Sequence, residues 1–168
     1  MSAVARAKQR YIQNRHDAYA ETTKELGGVL GVDFSIIELS NRALEAIEKQ
    51  WGESHFDWTT INRKYNDPSC AKFAIWVGDR LAALCVADTT GQSVKIRFLE
   101  GDPREDCPLK GRRILVVLDA MANYAQLRGK VELVLEPINE KLIDVYENVY
   151  GFEVVRPKKE PAFCRKRV

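Results

Sequence analysis

The stretch "CPLKGRRI", Cys107 to Ile114, sets Gly111 among Lys110, Arg112 and Arg113 and runs straight into the apolar "LVVLDAMANYA". Three bases and a glycine at the entrance of a helix are the materials of an anion site. First-turn N–H groups lack intrahelical partners, the helix dipole is positive there, and glycine lets a ligand approach the backbone. Two readings stand: a phosphate cradle at the mouth of a helix, or a charged loop that ends in one. A second residue with chemistry is Glu100, which closes "QSVKIRFLE". Strand alternation places Val94, Ile96, Phe98 and Glu100 on one face, so an acid ends an apolar row.

Tyr146 and Asn139 lie in "INEKLIDVYENVY". Asn139 has the chemistry of an N-cap, with Ile138 and Ile143 spaced as a hydrophobic staple across it. Tyr146 falls on a stripe with Leu142, Val149 and Tyr150, where spacing alone makes it a core tyrosine with a polar handle. His55 stands between Trp51 and Trp58, and spacing alone makes it a surface histidine beside two packing tryptophans.

The elements that must position these residues follow from periodicity and punctuation. Apolar residues from Val4 to Leu26 recur at helical spacing, and Gly27-Gly28 supplies a stop. "VDFSIIELS" is β-rich. Ser40 or Asn41 caps "RALEAIEKQW", Gly52 ends it, and Asp57 caps a second short helix, "WTTINRKY". "KFAIWV" and "RLAALCVAD", separated by Gly78-Asp79, form a hairpin, with "QSVKIRFLE" as a third strand. Ile114, Leu115, Leu118, Met121, Ala122 and Ala125 mark the strongest helix, which Gly129 ends; "KVELVLE" is a central strand. A helix from Asn139 to Gly151, the strand "FEVVR" and a last strand, "AFCRKRV", complete the chain. This order argues a mixed α/β sheet.

A chain of 168 residues with 45% hydrophobic content fits one domain with a real core. No segment has the roughly 20 consecutive apolar residues of a membrane span, and the N-terminus has no signal-peptide run, which predicts a cytoplasmic protein without membrane partners. Cys70, Cys85, Cys107 and Cys164 are scattered without a C-x-x-C pair, which argues for reduced thiols and against a metal site. The net charge of +2 divides into basic ends and an acidic body. Few aromatic residues stand among the terminal bases, so these read as solvated tails, not as a nucleic-acid surface.

The element order, together with "INEKLIDVYENVYGFEVV", resembles the GNAT superfamily of N-acetyltransferases over roughly residues 33–168. The segment matches the family ending N-x-x-(A)-x-x-x-Y-x-x-x-G-F-x, and the glycine loop before a long helix is similar to the family's acetyl-CoA pyrophosphate site. That loop reads Q/R-x-x-G-x-G/A. With Gly111 as its second glycine, Leu109 stands at the first and Asp106 at the Q/R position.

The resemblance implies an α/β fold with a GNAT-like mixed sheet, antiparallel in its N-terminal half. Its parallel central strands, 94–100 and 131–136, would splay apart, with flanking helices and an extra N-terminal helical extension over residues 1–32. It implies acetyl-CoA as co-substrate, held by Leu99, Lys110, Gly111, Arg112, Arg113 and Asn139. Tyr146 would protonate the departing thiolate. A lysine-like amine of pKa about 10.4 costs about 4.6 kcal/mol to hold neutral at pH 7, so a base is needed. Glu100 is its candidate. The implied acceptor is an amine-bearing small molecule or protein, and a homodimer stays open. The rival expectation is a GNAT-fold binding module without catalysis, acting through its N-terminal helix or basic C-terminus.

Overall fold

In the computed structural model, which describes Met1–Val168, helix α1 (Ala3–Leu30) and strand β1 (Ser35–Glu38) lead into helices α2 (Asn41–Ala46) and α3 (Trp58–Lys64). Strands β2 (Ala71–Val77), β3 (Arg80–Thr90) and β4 (Ser93–Gly101) follow, then helix α4 (Arg113–Leu127), strand β5 (Glu132–Leu135), helix α5 (Glu140–Asn148) and strands β6 (Glu153–Val155) and β7 (Phe163–Arg167). The seven strands form one sheet in the order β1-β2-β3-β4-β5-β7-β6. Every neighbouring pair is antiparallel except β4 and β5. No helix is long and apolar enough to cross a membrane.

Each face of the sheet buries its own core. On one face α1, α4 and α5 cover Phe73, Cys85, Ile96 and Leu135, with Tyr19, Met121, Tyr124 and Tyr146 filling the space between. On the other, α2, α3 and a π-helical turn at Ile47–Trp51 cover Trp76, Leu84 and Val86. The π turn divides what periodicity reads as one helix over 41–51.

Two irregularities of β4 make the site. The first is a bulge: Val86 pairs with Phe98 and Ala87 with Ile96, so Arg97 is an extra residue. An extra residue reverses the alternation beyond it. Val94 and Ile96 therefore face the α4 side, whereas Phe98 packs with the α2–α3 core. The expected single row of Val94, Ile96, Phe98 and Glu100 is thus split between the two faces. The second is a fork. β4 pairs with β5 only from Ser93–Glu132 to Ile96–Leu135, while β4 runs on to Gly101. The central parallel strands splay as expected.

Helix α1 runs past Gly27-Gly28, where a stop is expected, and ends at Gly31, whose φ of 64° supplies the left-handed cap. Continuing one turn places Leu30 beside Leu26 on the core, and that apolar contact outweighs the poor helix propensity of two glycines. α1 packs antiparallel to α4: Arg112 donates to the Leu30 carbonyl at 2.8 Å, Asn123 donates to Thr22 at 3.0 Å, and the Arg128 guanidinium lies 4.1 Å from the centre of the Tyr11 ring.

Candidate active site

A cavity of about 210 Å³ passes through the fork between β4 and β5. From the α4–α5 face it is lined by Leu99, Ile114, Leu142 and Tyr146, and from the other face by Phe56, Arg97 and Glu136. Its lining thus draws on both faces of the sheet, where the β4–β5 ladder ends.

The loop over 102–112 brings α4 to this cavity, and its anchors are buried. Leu109, at the family's first-glycine position, is fully buried in the core, and Gly111 takes a φ of 81° to turn the chain into the helix. Asp102 is buried and accepts from Arg80 at 2.8 Å and from the Arg104 side chain at 2.9 Å and its N–H at 3.0 Å. Burial alone would raise the Asp102 carboxyl, but these donors hold it down at about 2. Arg80 also pairs with Asp106 at 2.7 Å, so the acid at the Q/R position is neutralised away from the helix mouth.

Of the three bases around Gly111, only Arg113 lines the cavity. Its guanidinium donates to the Asp102 carbonyl and lies against Gly101, where an added Cβ would fall 2.5 Å from the guanidinium carbon. Lys110 pairs with Glu105 and Arg112 caps the C-terminus of α1. The first intrahelical bond of α4 runs from Val116 N–H to Arg112, with no side-chain cap, so the N–H groups of Arg113, Ile114 and Leu115 are unpartnered within the protein.

Asn139 caps α5 through a 2.9 Å bond from Leu142 N–H, as its position in the sequence predicts. Ile138 stays 63% exposed at the cavity rim, so the expected staple with Ile143 does not bury it. Tyr146 is 5% exposed, packs against Phe152 at 5.7 Å and lines the cavity. Burial pushes the phenol well above its ordinary value, so the group stays protonated through the neutral range.

Glu100 stands on the face opposite Leu99, because the bulge reversed the strand ahead of it. Its carboxylate accepts from His55 N–H at 2.7 Å, Phe56 N–H at 3.2 Å and Trp58 Nε1 at 2.8 Å. These bonds fix the segment between the π turn and α3, and with it Phe56, whose ring sits 5.2 Å from Phe98 at the cavity wall. His55 stacks edge-on against Phe56 at 4.7 Å.

Arg97 and Glu136 are the lining residues that sequence reasoning misses. No sequence signal marks a bulge at Arg97. Glu136 had one: it follows Leu133 and Leu135 in alternation, which turns it to the face opposite their core.

No protein-family model and no curated protein sequence matches the chain. Solved structures do match. The ribosomal-protein-S18-alanine N-acetyltransferase from Escherichia coli superposes with a TM-score of 0.59 at 17% identity, over 80% of this chain and 93% of that one. The PaiA N-acetyltransferase from Thermoplasma acidophilum, in complex with coenzyme A, gives 0.56 at 14% identity, over 80% and 99%. An acetyltransferase of the GNAT family from Staphylococcus aureus gives 0.56 at 11% identity, over 80% and 98%. The forked parallel pair inside an otherwise antiparallel sheet, with a glycine-turned loop leading into α4, belongs to a chain that has the GNAT fold.

Proposed function

We propose that the protein is an acetyl-CoA-dependent N-acetyltransferase that moves an acetyl group directly to an amine. The observation that carries this reading is the cavity through the β4–β5 fork, which brings the mouth of α4 and the Tyr146 hydroxyl to one space. The residues present fit the co-substrate. Three unpartnered N–H groups, the positive end of α4 and Arg113 would hold its pyrophosphate, with Gly111 turning the loop. Leu99 would wall its pantetheine arm, and Asn139 would keep α5 in register as its cap. Lys110 and Arg112 serve as struts of the loop, through Glu105 and the end of α1.

Bound acetyl-CoA supplies an activated thioester. Tyr146, protonated, would give its proton to the sulfur as the C–S bond breaks and the acceptor nitrogen bonds to the carbonyl carbon, the nitrogen's surplus protons passing to solvent. Glu100, with three N–H donors on its carboxylate, acts as the anchor that places Phe56 and not as the base.

The binding-module reading draws on the engagement of Lys110 and Arg112 away from the helix mouth. The open cavity argues against it. Calorimetry with acetyl-CoA decides between them: a dissociation constant in the micromolar range is expected, and absence of binding at high micromolar concentration would overturn the acetyltransferase reading.

A further inference from the structure

We propose that Arg97 receives a carboxylate carried by the acceptor, so that the amine to be acetylated belongs to an amino-acid-like molecule entering from the α2–α3 face. This rests on the acetyltransferase reading and names its substrate class. Arg97 is the extra residue of the β4 bulge, one position past Ile96, whose pair with Leu135 is the last rung before the fork. The bulge puts Arg97 on the side of Phe98, where its guanidinium meets Asp88 of β3. Asp88 lies across the ladder from Lys95, and both are turned away from the core that buries Val94 and Ile96. Of the two bases that line the cavity, Arg113 stands at the mouth of α4 and Arg97 on the opposite face.

Asp88 bonds the Arg97 Nε at 3.0 Å and fixes the direction of a side chain that is 29% exposed. A guanidinium has five N–H donors, and this bond uses one of them. Arg15 and Arg80, in comparably buried ion pairs, each engage a second acceptor through a terminal nitrogen: the Pro68 carbonyl for Arg15 and Asp106 for Arg80. At Arg97 the Nη1 and Nη2 groups are left for the cavity, and their parallel N–H donors match the two oxygens of a carboxylate. The acids nearby have partners of their own: Glu136 pairs with Lys95 at 2.9 Å, and Glu100 accepts from the 55–58 segment. Phe56 and Pro137 wall the same space, so a carboxylate entering it loses water that the guanidinium fork replaces. Arg97 and Tyr146 line one cavity of about 210 Å³, which places the carboxylate and the attacking nitrogen a few bonds apart in one small molecule.

Calorimetry with paired CoA conjugates tests this without the natural acceptor. The CoA sulfur is joined through a thioether-acetyl link to the nitrogen of glycine, β-alanine or γ-aminobutyrate, and in each counterpart the carboxylate is replaced by its amide. At one spacing or more the wild-type protein should bind the carboxylate about tenfold more tightly than the amide, the scale of one charge-assisted pair. Arg97→Gln should abolish that preference, and Arg97→Lys, which keeps the charge without the fork, should reduce it, both with the affinity for acetyl-CoA retained. No preference at any spacing, or a preference that survives Arg97→Gln, overturns the proposal; should Arg97→Gln fail to fold, an undiminished preference in Arg97→Lys overturns it equally. In those cases binding of acetyl-CoA leaves the acetyltransferase reading standing. If neither acetyl-CoA nor any conjugate binds, that reading falls and the assignment of Arg97 falls with it.

Discussion

Glu100 and Glu136 differ in what already surrounds them. Glu100 spends its lone pairs on three N–H groups of the 55–58 segment, whereas Glu136 keeps one oxygen open to the cavity. Glu100→Ala should leave the buried Trp58 Nε1 and two backbone N–H groups without their acceptor, lowering unfolding free energy by about 2 kcal/mol in a denaturant titration. Glu100→Gln, which keeps one acceptor oxygen, should lose less stability and raise KM more than it lowers kcat. Tyr146 lines the cavity and packs through its ring against Phe152. Tyr146→Phe should therefore fold with unchanged stability and bind acetyl-CoA as the wild type does, but turn over about 100-fold more slowly. Equal turnover in steady-state assays would remove Tyr146 from the mechanism.

Among elements, the seam between α1 and α4 links the N-terminal helix to the loop at the cavity, since Arg112 bridges the end of α1 to the start of α4. Halfway along the seam Glu25 meets Asp119. Hydrogen bonding to Asp119, with smaller contributions from burial and from the charges of Asp119 and Glu21, raises Glu25 to about 7 from an ordinary 4.5. A raised folded-state value means that this contribution to stability is full below about pH 4.5 and is lost as the pH rises through 7. Thermal melts of the wild-type protein should thus decline from pH 5 to pH 8 relative to Glu25→Gln, which should melt higher at pH 8. Identical pH profiles would show that the two carboxylates do not share a proton.

For the molecule as a whole, α1 is part of the main core and not an appendage. Ala18 and Tyr19 are buried, Tyr19 packs on Phe73 at 5.2 Å, and Leu26 and Leu30 complete the contact. Residues 33–168 alone should lose the cooperative melt seen by circular dichroism, because removing α1 uncovers Phe73 and one side of α4. Deleting only residues 1–10, which lie beyond the Tyr11–Arg128 contact at the end of α4, should shift Tm by no more than about 3 °C. The basic C-terminus also folds back on itself. Arg156 pairs with Glu140, Arg165 with Glu153, and Lys166 donates to the Tyr150 carbonyl, so several of its charges are engaged inside the protein.

What the sequence determined by itself was local. Asp57 and Asn139 cap their helices through bonds three residues away, the hairpin turns at Gly78-Asp79, and α4 starts beside Gly111, because each depends on neighbours a few positions apart. The GNAT-like order of strands and helices was legible for the same reason. Tertiary structure decided which charges face the cavity. A one-residue bulge at Arg97 turned Glu100 to the opposite face, partners from a distant helix and strand drew Arg112 and Asp106 elsewhere, and the end of the β4–β5 ladder brought Glu136 to the fork. A side chain's face depends on every rung of register before it, and its free valence on partners from anywhere in the chain; local spacing records neither.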